Sequence, residues 1–145
     1  SIGLVGSEMC IRDRLLKVNF ISTSFMVGVI WVIQLLHYPS FHFINDQKYI
    51  EFQHFHMQRI SIIVIPAMLT ELASALLLAY FFESSLTIIL LALVMGIWAI
   101  TLIFFTNMHQ KLTDGYNHSI VNRLVQINWS RTALWSLRLI ILLSI

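Results

Sequence analysis

Cysteine is almost missing from this chain: Cys10 is the only one among 145 residues, so no internal disulfide and no cysteine-based metal cage can form. Proline occurs twice and glycine five times, too sparsely for a flexible linker or a low-complexity arm, and no internal repeat is visible. Charged residues make up only 11%, less than half their share in soluble domains. Nine Lys and Arg against seven Asp and Glu give +2, which offers no basic surface for nucleic acid. Also lacking are a P-loop, a dinucleotide fingerprint, a nucleophile elbow, a CxxCH haem attachment and the histidine boxes of membrane desaturases. What is abundant is apolar: 58% of residues are hydrophobic and the mean hydropathy is +0.80, the composition of a membrane protein. The 16.8 kDa allow one compact domain and leave no length for a separate soluble catalytic one.

Leu4 to Arg14 (LVGSEMCIRDR) breaks the apolar pattern, mixing charge, glycine and the lone cysteine without helical or strand period. It is similar to translated sequencing adapter: one frame of the transposase adapter of shotgun libraries encodes LVGSEMCIRD, the residues of Leu4–Asp13. Residues 1–16 are therefore read as an artefactual or disordered segment, set apart from a single domain at 17–145. A frame that runs out of adapter is expected to lack its native start. Without Glu8, Arg12, Asp13 and Arg14 the chain keeps seven basic and five acidic residues, and with Cys10 gone it has no thiol chemistry.

A hydrocarbon core of about 30 Å takes around 20 helical residues to cross. Val18–Leu36 supplies 19 without a charge, Ile60–Phe82 supplies 23 with Glu71 as the only charge, and Leu86–Phe105 supplies 20 without one. Ile127–Ile145 is 19 residues but contains Asn128, Arg131 and Arg138. With helix ends included, the expected spans are 18–37, 60–82, 86–106 and 127–145. Only Glu83, Ser84 and Ser85 part the second from the third, which forces antiparallel neighbours. The expected fold is all-α: a polytopic membrane protein, an antiparallel up-down four-helix transmembrane bundle, with a kink at Pro66.

The connections His37–Arg59 and Thr106–Asn128 then lie on one side, carrying Lys48, Arg59, Lys111, Arg123 and Arg131 against Lys17 on the other. The positive-inside rule places those long loops in the cytoplasm and both termini outside the cell inner membrane. Within them, Asn45–Gln58 reads as a short interfacial helix capped by Asn45 or Asp46, and Asn117–Gln126 as a helix leading into the fourth span.

All six histidines fall on the long-connection side, as exclusion from lipid alone would arrange. His37 ends the first span three residues after Gln34, on one face with Trp31; His109 follows the third span, and His54 and His56 precede the second. Three helix ends so bring imidazoles to one depth, the geometry that a haem or metal between helices requires. No histidine, cysteine and carboxylate spacing specifies a metal, however: Glu51 and His54 form one ExxH where a di-iron bundle needs two. Buried charge is the sharper signal. Glu71 lies about 16 Å below its helix mouth and Arg138 about 13 Å below the same side, by helical rise, so the two should pair across the bundle. Exchanging the two charges should then restore what reversing either one loses. Asn128, Arg131, Trp135 and Arg138 recur as one stripe on the fourth helix, facing inward. With Arg59 at the mouth of the second helix, Arg131 and Arg138 suit an anionic group such as a carboxylate or propionate.

WVIQLLHYPSF (Trp31–Phe41), FHMQRISIIVIPAMLTE (Phe55–Glu71), MHQKLTDGY (Met108–Tyr116) and NWSRTALWSLR (Asn128–Arg138) resemble segments of a group of uncharacterised small four-helix bacterial integral membrane proteins. Arg59 followed by Pro66, Ala67 and Met68 is similar to the second helix of the haem-binding membrane protoporphyrinogen oxidases, whose early first-helix histidine has no counterpart here. The resemblance implies haem as a cofactor. The reading is of a polar pocket at one membrane face that binds an anionic planar or redox ligand of haem or quinone type. His37, His56 and His109 are its ligands or donors, Arg59, Arg131 and Arg138 neutralise it, and Gln34, Asn128 and Trp135 also face it. The alternative is a non-catalytic module whose buried polar groups specify helix packing and whose loops bind a partner. Transport would call for a homodimer, since four helices leave little room for alternating access.

Overall fold

In a computed structural model that describes residues 2–145, with side chains from Met9 onward, the chain forms four long helical rods, and no strand occurs among the described residues. The first comprises Ile2–Val32, a π-helical turn (Ile33–His37), Tyr38–Ser40 and a 3-10 turn (Phe41–Phe43). It takes in the adapter-like residues 4–14 as helix. The second is Asp46–Phe81, the third is Ser85–Ile100 continued by a π-helical turn (Thr101–Phe105) and Thr106–Leu112, and the fourth is His118–Leu143.

The two long connections are not loops. The first shrinks to the extended pair Ile44 and Asn45, because Asn45 Oδ1 accepts from Gln47 N at 2.9 Å and starts the next helix at once. The expected separate interfacial helix is simply the beginning of the 36-residue second helix. The helix continues through Pro66, and the Thr70 hydroxyl donates to the Pro66 carbonyl at 2.8 Å. The second connection is a turn over 113–117, in which Gly115 takes a φ of +142° that side chains disfavour, and Asn117 Oδ1 caps the fourth helix by accepting from Ile120 N at 3.1 Å. The third helix starts on a capping box: Ser84 Oγ accepts from Thr87 N and Thr87 Oγ1 accepts from Ser84 N.

Three helices are long and apolar enough to cross a membrane by length and composition: Met9–Phe43, Asp46–Phe81 and Ser85–Leu112. The fourth has 26 residues but spends its composition on inward polar groups. Around the bundle each helix packs on the next, and the fourth closes on the first. Polarity is distributed in reverse of a soluble protein: Asn19, Thr23, Gln53, Glu71, Asn128 and Arg138 are wholly buried, while Leu36, Ile62, Ile103 and Ile140 are each about two-thirds exposed. The apolar core is split into two clusters, one around Tyr38, Phe41, Tyr49 and Phe105, the other around Met26, Ile30, Met68 and Trp135.

Candidate functional site

Two polar centres occupy the interior. In the first, Glu71 accepts from all it faces: Thr23 Oγ1 at 2.7 Å and Arg138 Nε at 3.0 Å reach Oε1, and Trp135 Nε1 reaches Oε2 at 2.9 Å. Arg138 in turn donates to the Leu90 carbonyl and, at 3.1 Å, to Asn19 Oδ1. Asn19 Nδ2 completes the ring by donating to Ser74 Oγ at 2.8 Å and to the Glu71 carbonyl at 3.1 Å. All four helices contribute, and Glu71 and Arg138 have no exposed side-chain surface. An ion pair whose remaining valences are all hydrogen-bonded fixes helix register and leaves no group over for a ligand.

The second centre sits where the two π turns approach. A cavity of about 440 Å³ runs between the second and third helices, walled by Ile60, Val64, Met68, Trp98 and Leu102 and headed by Tyr38, His56, His109 and Arg131. The His37 and His56 rings share a hydrogen bond, Nε2 to Nδ1 at 2.7 Å. Gln53 Nε2 donates to His109 Nδ1 at 3.0 Å, which leaves His109 Nε2 to donate to the Tyr38 hydroxyl at 3.3 Å. The Arg131 guanidinium lies over the rings of Phe105, at 4.2 Å, and Trp135, at 5.1 Å. Here, unlike in the clamp, valences are left over: His56 Nε2, Arg131 Nε and Trp98 Nε1 are buried without a hydrogen-bond partner, and all three residues line the cavity. Such groups cost free energy until something meets them. The π turn at Thr101–Phe105 forms part of the wall, and π turns concentrate at functional sites.

No protein-family model, curated protein or solved structure matches this chain. The site's own chemistry therefore carries the reading. Of the residues singled out in the sequence, His37, His56, His109 and Arg131 come together, with His37 backing His56 rather than lining the cavity. Arg59 does not join them: it is exposed and lies over the Phe55 ring at 5.6 Å. Arg138 belongs to the clamp, and Trp135 stands between the centres, under Arg131 and bonded to Glu71. Gln34 and Asn128 bond each other, Asn128 Nδ2 donating to Gln34 Oε1 at 2.8 Å, while Gln34 Nε2 donates to the Val125 carbonyl and Asn128 Oδ1 is left buried without a partner. Among the described residues no three of His, Cys, Asp and Glu gather to hold a metal ion.

Sequence reasoning missed Tyr38, Gln53 and Trp98. Gln53 was findable, since it stands three residues before His56 on one helix face. It also placed Trp31 with Gln34 and His37, whereas Trp31 faces outward, edge-on to Trp129, with its Nε1 donating to Ser136 Oγ at 3.2 Å. Both Trp31 and Gln34 meet the fourth helix, Trp31 at its exposed edge and Gln34 inside.

Proposed function

We propose that this chain is a multi-pass inner-membrane protein, an antiparallel up-down bundle of four spanning helices, whose cavity binds a lipid-soluble amphiphile with a flat, acceptor-rich head of quinone or anionic aromatic type. The observation that carries the reading is Arg131: a guanidinium 4% exposed, in no ion pair among the described residues, with Nε unpartnered on a cavity wall. A buried charge without a counter-charge costs several kcal/mol. An acceptor oxygen or an anion in the cavity offsets that cost, and His56, another lining residue with a buried unpartnered nitrogen, is a second donor once its ring turns toward the cavity.

Shape narrows the ligand. From His56 to Met68 the cavity follows its helix for ~18 Å, so about 440 Å³ spread over that length gives a mean cross-section of ~24 Å². A single ring followed by a chain suits that tube; a porphyrin is a far broader plate, which makes haem on His56 the weaker form of the idea. Ile65 and Leu102 line the cavity yet are 49% and 60% exposed at mid-helix, so its mouth opens toward hydrocarbon and the ligand enters from the bilayer.

The topology is supported by bonds between helices. Asn19 meets Ser74 and His37 meets His56, so positions advance along the first helix as they recede along the second. For orientation, Arg131 is buried and drops out of the basic count, but Lys48, Arg59, Lys111 and Arg123 still outweigh Lys17 and favour the histidine end in the cytoplasm. The rival reading, a packing module without a ligand, is favoured by the satisfied Glu71 clamp and by nothing at the cavity.

The test is titration of decylubiquinone into the protein in lipid nanodiscs, read by quenching of tryptophan fluorescence, since Trp98 lines the cavity. Arg131→Leu is expected to bind about 10- to 100-fold more weakly, the worth of one charge-assisted hydrogen bond. Equal binding by a variant of unchanged helicity refutes the assignment.

A further inference from the structure

Resting on that reading of the cavity, we infer that the His37–His56 pair is a proton-accepting element, so that an anionic head bound beside Arg131 takes up one proton with it. The pair is built for this. His56 is 3% exposed and its Nδ1 faces His37 Nε2 at 2.7 Å, so one hydrogen already lies between the two rings. The far nitrogen, His56 Nε2, has no partner and belongs to a residue on the cavity wall. Half-buried His37 connects the pair to the aqueous end of the bundle.

The groups facing the pair come from every helix: Tyr38 from the first, neutral Gln53 from the second, His109 from the third and Arg131 from the fourth. No carboxylate joins them among the described residues, because Glu71 is held by Thr23, Trp135 and Arg138. A second positive charge beside the guanidinium is favourable only when an anion answers both. Once the anion is present, one added proton is met on both sides of its ring: His56 donates Nδ1–H to His37 Nε2 and, its ring turned toward the cavity, Nε2–H to the anion. The proton comes from water through His37; no bond other than N–H is made and no electron moves.

The experiment is calorimetric titration of 2-naphthalenesulfonate, a flat and permanently ionised probe, into the full chain in nanodiscs, in phosphate and in Tris at one pH. The buffers differ in ionisation enthalpy, so the difference in heat counts protons. Wild type is expected to take up about one proton per probe, with Kd weakening roughly tenfold for each pH unit of rise. His37→Gln, which keeps a hydrogen-bonding group beside His56, is expected to bind the probe with uptake below one half. Binding with no proton uptake in wild type, or full uptake in His37→Gln, overturns the inference and leaves the quinone reading intact. Absence of probe binding where decylubiquinone still binds overturns it too, while failure of both ligands removes the cavity reading itself.

Discussion

Reversing both charges of the Glu71–Arg138 pair, so that Glu71→Arg is combined with Arg138→Glu, is expected to leave the protein impaired, against the simple rescue that charge pairing alone implies. The ion pair itself would survive the exchange at 3.0 Å. Its neutral neighbours would not. Position 71 is approached by donors, the Thr23 hydroxyl and Trp135 Nε1–H, while position 138 is approached by acceptors, the Leu90 carbonyl and Asn19 Oδ1. The exchanged pair sets a guanidinium against the indole N–H and a carboxylate against the carbonyl. Thr23 can rotate its hydroxyl, which leaves three mismatches, at the indole N–H, the Leu90 carbonyl and Asn19 Oδ1, at about 1–3 kcal/mol each, so the double variant should fall short of wild type by about 3–9 kcal/mol. Each single reversal is expected to lose more, since it buries two like charges. The assay is thermal unfolding of the purified variants in mild detergent, with the yield of monodisperse protein as a second reading. A double variant that melts with wild type would show that the charges alone matter and that the polarity of the surrounding ring does not.

Trp135→Phe removes one hydrogen bond to the buried carboxylate and should cost about 1.5–3 kcal/mol in the same melt; an unchanged midpoint would detach Trp135 from the clamp. Gly115→Ala, at a φ of +142°, should cost about 1–3 kcal/mol while decylubiquinone affinity stays the same, and loss of affinity without loss of stability would contradict a purely conformational role.

Where the sequence was legible, the signal was a sum over many residues. The long apolar runs locate three of the rods, and the caps at Asn45, Ser84 and Asn117 each stand at a helix start. Hydropathy fails at the ends of those runs, because the helix does not stop where its side chains turn polar: 46–59 and 106–112 continue as helix beyond the apolar runs, and the supposed loops vanish. It fails also on small polar residues. Asn19, Thr23 and Ser74 hardly alter a segment's mean, yet each holds the clamp. Charges are rare enough to be noticed singly, which is why Glu71 and Arg138 stood out while their neutral partners did not.

The site was less legible because its geometry rests on two breaks in helical period. An extra residue per π turn displaces the residues that follow it by about 100° from a regular wheel, so the turn at Ile33–His37 resets the face on which Tyr38 stands. In the third helix the same device lies between Trp98 on the deep wall and His109 at the head, and both line one cavity. A π turn forgoes regular helical hydrogen bonds, and two of them at one end of a bundle need a compensating gain. Packing does not supply it here, since His56, Arg131 and Trp98 each remain with an unmet polar atom at the cavity. The clamp lower in the bundle shows that this chain can satisfy every valence of a buried ion pair with regular helices alone. On the proposed reading a ligand would offset the cost of the unmet atoms of His56, Arg131 and Trp98, and donors of that kind, a guanidinium, an imidazole and an indole, would call for an acceptor-rich head.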